Sequence, residues 1–338
     1  MLRIGFIGAG DIAAVHVEAV RNFPDATITA VSDPVQEKAE ALAAPIGAAA
    51  YTDHRDVIDR CDAVWVCTPP SVRRVPIVDA AEAGRHVMAE KPLATAADDA
   101  LAIVEAVERS GVKCIVDFMS RFRWPFLQMK KLVDTGDLGA IVSIWSYRLG
   151  QAGYPSGQRT WRHDRQFACG FTIESLSHDI DLIRWIAGPI TAVSGLVAAT
   201  WPDFPTFDNT MGAILYLESG AMGQLHASLV SPVGASQRGV IGTRGTALIE
   251  GKGIWDLPRM RWRTEGAESE QVIDLPGPLA DDMGYRSMAR YFLDCIREDQ
   301  RPRPTARDGL AALEVSLAIL RAAAERQVVS VPVRSLGE

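Results

Sequence analysis

Apolar residues in this chain come first in short unbroken runs and later in alternation, and the change of period divides it. Leu2 to Ile7, Thr27 to Val31, Ala63 to Thr68, His86 to Ala89 and Val112 to Phe118 are apolar stretches of strand length. Helical spacing fills the intervals: from Asp11 through Arg21, Val35 to Leu42, Val75 to Ala83, and Thr95 to Ser110 before Gly111. Fully apolar strands separated by helices predict a parallel sheet covered on both faces. Ligands of such sheets sit at the carboxyl ends of the strands, where Gly8, Thr68 and Glu90 fall.

After Phe118 the pattern changes. A helix is predicted over Pro125 to Thr135, a turn at Gly136-Asp137-Leu138-Gly139, and a strand from Ile141 to Arg148. A second helix spans Glu174 to Ala187. Strands follow at 190–198, 209–217, 221–229, 237–242 and 246–250. Met211, Ala213, Leu215 and Leu217 alternate before Glu218-Ser219-Gly220, and Met222, Leu225 and Ala227 follow, a strong hairpin signal. These strands predict an open, predominantly antiparallel sheet whose outer face needs cover. Trp145, Tyr147, Tyr216 and Leu229 are the candidates for a subunit interface there. Helices at 286–299 and 307–326 close the chain, the second expected to pack back between the domains. The fold class is therefore α/β: a Rossmann domain over 1–118, and over 119–338 a substrate-binding and oligomerisation domain, with the active cleft between them.

Composition narrows the function. With 338 residues, 48% of them hydrophobic, the chain can bury a large core in two domains. A net charge of −7 without a basic tract argues against nucleic acid as a partner. No apolar run is long enough to span a membrane. The first strand begins at residue 2, so no signal peptide is expected, and five scattered cysteines fit a reducing cytoplasm.

Candidate chemistry starts at Gly8-Ala9-Gly10-Asp11-Ile12-Ala13, between a strand and a helix. Gly8 supplies the tight turn, Gly10 lets backbone approach a pyrophosphate, and Ala13 lets the helix pack on the sheet; the pyrophosphate would lie over the amides near Asp11 and Ile12. Asp33, near the end of the second strand, can accept from both adenosine ribose hydroxyls and repels a 2′-phosphate, favouring NAD over NADP. It also reads as a turn cap beside Pro34. Lys91, within Glu90-Lys91-Pro92, can donate to a substrate hydroxyl and stabilise a developing oxyanion, or it is a solvated strand exit. Pro92 suits a cis peptide. Glu174, His178 and Asp181 share one helical face, an arrangement for a general base or for a helix-end ionic network. Arg121, Trp161 and Arg162 suit a polyhydroxylated or anionic substrate, and equally suit core anchoring. His16 reads as packing or surface. No metal is expected, because hydride transfer to nicotinamide needs none.

Taken in order, these motifs resemble the glucose–fructose oxidoreductase, inositol dehydrogenase and rhizopine catabolism (Gfo/Idh/MocA) family. The resemblance runs through Ile4 to Ala13, Val66-Cys67-Thr68-Pro69-Pro70, Glu90 to Ala94, Arg121-Phe122, Trp161-Arg162, Ser177 to Trp185 and Gly242 to Thr246. It implies that Lys91 contacts the substrate hydroxyl, that His178 is the acid/base and that Thr68 lies beside the nicotinamide. The implied activity is NAD-dependent oxidation of a secondary alcohol on a sugar, cyclitol or related polyol. The implied assembly is a homodimer or homotetramer. A non-catalytic NAD- and sugar-binding sensor, or an enzyme acting on a dihydrodiol, are the other activities the family offers. Two departures stand out: Glu174 replaces the common aspartate, and Pro70 and Arg73 replace the asparagine and histidine common after the Thr-Pro motif.

Overall fold

The computed structural model describes residues 1–151, 167, 169–202, 204, 206–252, 256–274 and 283–332. Among these, two sheets organise two units: Met1–Met119 with Gly284–Leu313, and Ser120–Met283 with the chain from Glu314.

The first unit is doubly wound. Its elements are β1 (Leu2–Ile7), α1 (Asp11–Val20), β2 (Ala26–Ser32), α2 (Gln36–Ala43), β3 (Ala49–Tyr51), α3 (His54–Ile58), β4 (Ala63–Val66), α4 (Arg74–Glu82), β5 (His86–Ala89), α5 (Ala97–Ser110) and β6 (Cys114–Val116). The strand order is β3-β2-β1-β4-β5-β6, all parallel, so the order reverses beside β1. Ligands of such sheets bind at that switch point, beyond the carboxyl ends of the strands. The expected Rossmann architecture is thus the observed one. Short β3 and α3 carry too little periodicity to be read from sequence.

The second unit begins with α6 (Trp124–Asp134), β7 (Ile141–Gln151), α7 (Gly170–Glu174) and α8 (Ser177–Ala187). It continues with β8 (Ile190–Ala198), β9 (Thr210–Leu217), β10 (Met222–Ser228), β11 (Val230–Gly242), β12 (Gly245–Gly251), β13 (Arg259–Thr264) and β14 (Gln271–Asp274). After α9 (Tyr285–Arg297) and α10 (Ala306–Glu325), β15 (Val329–Ser330) completes a sheet of order β14-β13-β12-β11-β7-β10-β9-β8-β15. Only β7 and β10 run parallel among its described pairs, so the sheet is open and predominantly antiparallel, as expected.

Two details differ from the reading of the sequence. The change of period places the whole of 119–338 in the second domain, yet Gly284–Leu313 clusters with the first unit. The reason is packing. Phe292 on α9 sets its ring edge-on to Trp65 at 5.6 Å, both fully buried, and Arg290 pairs with Asp25. Truncating a buried phenylalanine of this kind costs about 3–5 kcal/mol. The second difference concerns the sheet face. Met211, Ala213, Leu215, Leu217, Leu225, Ala227 and Leu229 are buried, so the alternating apolar set, with Leu229, points into the core. The opposite face exposes Tyr147, Leu196, Ile214, Tyr216 and Met222, the first three lining a groove of about 920 Å³. No helix among the described residues is long and apolar enough to cross a membrane.

Candidate functional site

The turn between β1 and α1 has the shape its glycines predict. Gly8 has φ +94°, and a Cβ there would lie 2.9 Å from the Cys67 carbonyl carbon and 3.0 Å from the Thr68 amide, so only glycine lets the turn rest on the exit of β4. At Gly10 a Cβ would meet nothing within 4 Å. Gly10 is also the N-cap of α1 and has no side-chain cap. Open space before the first-turn amides of Asp11 and Ile12 is the cradle a pyrophosphate requires. Thr68 Oγ1 is buried without a hydrogen-bond partner among the described residues, a second group that a bound cofactor would satisfy. Asp33 accepts from Ala9 N through Oδ2 and from Val35 N through Oδ1, each at 3.0 Å. It caps its own turn, as one reading held, and straps the fingerprint turn to the end of β2. Each carboxylate oxygen keeps a lone pair for a ribose hydroxyl.

At the end of β5, Lys91 is half-buried and the Lys91–Pro92 peptide is cis. Glu90 points inward. His16 Nε2 lies 2.8 Å from Glu90 Oε1 and 3.2 Å from Asp117 Oδ2, with the Tyr285 ring edge-on at 5.2 Å. All three ionisable groups are buried. Burial alone would push the histidine down, but Asp117 and Glu90 outweigh it and raise its pKa to about 10. Burial and the neighbouring Glu90 charge push Asp117 up to about 7. Glu90 moves below the ordinary range: burial opposes this, and the His16 hydrogen bond prevails. A histidine read from sequence as packing or surface is therefore the cationic centre of a sealed cluster under the Lys91 segment. No spacing signal could have found it, because its partners stand on three different elements.

Arg73, noted from sequence only as a departure from the family pattern, has a structural part of its own. It is 3% exposed, and its Nη1 donates to Glu90 O at 2.6 Å and to Pro92 O, while Nη2 donates to Thr68 O.

In the second unit the predicted continuous helix is broken. Leu176 N reaches back to Phe171 O at 3.2 Å, and α8 starts afresh at Ser177. Glu174 thus ends α7, so the helical face shared by His178 and Asp181 does not extend to it. Glu174 and His178 are both buried. Asp181 is gripped by Arg121, with Nε to Oδ2 at 2.9 Å and Nη2 to Oδ1 at 2.6 Å. The anchoring reading of Arg121 is realised in that fork. Next to it Asp179 gathers Arg148, Arg238 (3.0 Å) and Ser146 (2.6 Å). Burial would raise this carboxylate, but Arg148 and Arg238 hold it well below its usual range. Trp161 and Arg162 lie outside the described residues.

Comparison with known proteins identifies the family and the fold. Residues 2–118 match the family model described as oxidoreductase family, NAD-binding Rossmann fold, and residues 126–248 match the Gfo/Idh/MocA C-terminal domain. Scyllo-inositol 2-dehydrogenase (NAD(+)) of Bacillus subtilis (strain 168) is 29% identical over 94% of this chain and 92% of its own length. An uncharacterized oxidoreductase, YrbE, of the same organism is 31% identical over 73% of each chain. In fold, the chain is similar to levoglucosan dehydrogenase in complex with NADH and levoglucosan, with TM-score 0.87, 21% identity, and coverage of 98% of this chain and 99% of the other.

Proposed function

Since the chain belongs to the Gfo/Idh/MocA family of oxidoreductases, with NAD as its cofactor, we propose that it oxidises a secondary alcohol of a sugar, cyclitol or related polyol. NAD, when bound, supplies the hydride acceptor. Gly8, Gly10 and the first-turn amides of Asp11 and Ile12 hold its pyrophosphate, Asp33 its adenosine ribose, and Thr68 and Glu90 border the nicotinamide end. His178 takes the proton of the substrate hydroxyl. Lys91 donates a hydrogen bond to the same oxygen and stabilises its developing negative charge. Glu174 positions His178 or a neighbouring hydroxyl, and Trp161 and Arg162 contact the rest of the substrate, while Arg121 anchors Asp181 beneath the site. No metal enters this scheme.

The observation that carries the reading is the open, uncapped cradle at Gly10 beside the unpartnered Thr68 hydroxyl. The full-length likeness to an NAD-dependent scyllo-inositol dehydrogenase supports a cyclitol or sugar as substrate. A panel of inositols, aldoses and anhydrosugars, followed by nicotinamide absorbance with NAD and with NADP, tests it. Turnover of at least one polyol with NAD is expected, reduced about 10²–10⁴-fold in His178→Ala. NADH binding without turnover of any panel member would favour a sensor. Turnover only of a dihydrodiol would move the substrate class. We further infer a homodimer or homotetramer assembled through the exposed face of the second unit's sheet.

A further inference from the structure

The β4–β5 ladder runs from Ala63↔His86 to Val66↔Ala89, and its last described bond is Glu90 N to Val66 O at 3.1 Å. Beyond that point the two strand exits carry Thr68 and Lys91 and no longer pair with each other. Their carbonyls still need donors. One side chain provides them: Arg73, at the start of α4, donates to Thr68 O on one exit and to Glu90 O and Pro92 O on the other. The Glu90 and Pro92 carbonyls flank Lys91 on both sides.

We propose that Arg73 is a positioning residue that replaces the missing ladder and fixes the Lys91 segment against the Thr68 loop. The inference rests on the dehydrogenase reading for the roles of Lys91 and Thr68, but the clamp itself is independent of it. A guanidinium suits the task because its planar fork holds several donors at fixed angles and its charge persists at every working pH. Lysine presents a single nitrogen, and histidine at most two donors set on opposite sides of a ring. Neither can span both exits in the same way. Arg73 touches no reacting atom in this scheme; it acts through the residues it holds.

The experiment compares the full-length protein with Arg73→Lys, Arg73→His and Arg73→Ala. It measures thermal midpoint, NADH affinity by fluorescence, and kcat and KM with myo- and scyllo-inositol as probes. Displacing the two loops raises the NADH dissociation constant about tenfold, the size of a typical coupling between a site and a group outside it. It lowers kcat about 10²-fold, more than it raises KM, as expected for misplacement by about an ångström. Millimolar guanidinium restores part of both losses in Arg73→Ala. If that variant does not fold, Arg73→Lys, which keeps the charge, decides. A lowered midpoint with unchanged NADH affinity and kcat would overturn the proposal and leave Arg73 a purely structural anchor. Wild-type protein that oxidises neither inositol counts against those substrates, while the NADH titrations still decide the role of Arg73.

Discussion

A histidine sealed between two carboxylates titrates far from its value in water, and stability must follow. His16 is raised from 6.5 to about 10, so its contribution is complete below about pH 6.5 and is lost as pH rises through 10. Asp117 is raised from 3.8 to about 7; the native state holds its proton longer than the unfolded chain, and stability falls across that window too. We therefore expect thermal stability to decline from pH 5 toward pH 10. Asp117→Asn should flatten the decline between pH 5 and 7 by up to about 1.4 kcal/mol per pH unit and move the alkaline fall to lower pH, because Asp117 also raises His16. Melting curves in matched buffers check this, and an unchanged slope below pH 7 would remove Asp117 from the account. The sequence announced the residues whose chemistry is local: the glycines of the fingerprint, Asp33 two residues beyond an apolar run, and Lys91 in its tripeptide. It marked Arg73 only as a departure from the family pattern and was silent on Asp179, since the partners of the first are backbone carbonyls and those of the second side chains far along the chain.

Among elements, the β1–α1 turn lends itself to a paired test, because its two glycines are needed for opposite reasons. Gly8 is confined by φ +94° and by backbone at 2.9 Å, whereas Gly10 faces open space. Gly8→Ala should destabilise the protein by more than about 1–2 kcal/mol. Gly10→Ala should leave the melting temperature nearly unchanged and still weaken NADH binding, because the new methyl stands where the pyrophosphate must approach. Calorimetry with NADH titration separates the two, and undiminished NADH affinity in Gly10→Ala would count against the assigned cradle. Elements long enough to show a period were legible, and α5 and β8 fall within two residues of expectation. Those missed are short or lack an apolar run: β3 has three residues, and β13 alternates arginine with apolar residues. The break between α7 and α8 was invisible because Ser175 and Leu176 are acceptable inside a helix.

For the whole molecule, the exposed sheet face makes a prediction about assembly. Tyr147, Ile214, Tyr216 and Met222 lie on neighbouring strands and are each more than a third exposed. Exposed aromatic and apolar side chains on one open sheet face, with Gln224 and His226 among them, favour a two-fold contact between copies. Sedimentation at micromolar concentration should show a dimer or tetramer, and Tyr216→Arg should shift it toward smaller species. Monomer at every concentration would defeat the assembly, and an oligomer indifferent to Tyr216→Arg would move it to another surface. Two units were legible from the change of period near residue 118. The return of 284–313 to the first was not, for an amphipathic helix declares that one face is buried without saying against which sheet. That return governs how the protein is made. Arg290 closes on Asp25 across 265 residues of sequence, and Phe292 covers Trp65 from nearly as far. Loops of that length close slowly, and synthesis delivers the amino-terminal end first. The turn at Gly8 leaves the ribosome long before α9, so its unit stays unfinished, with the Trp65 ring uncovered by Phe292, until more than two hundred further residues have been translated.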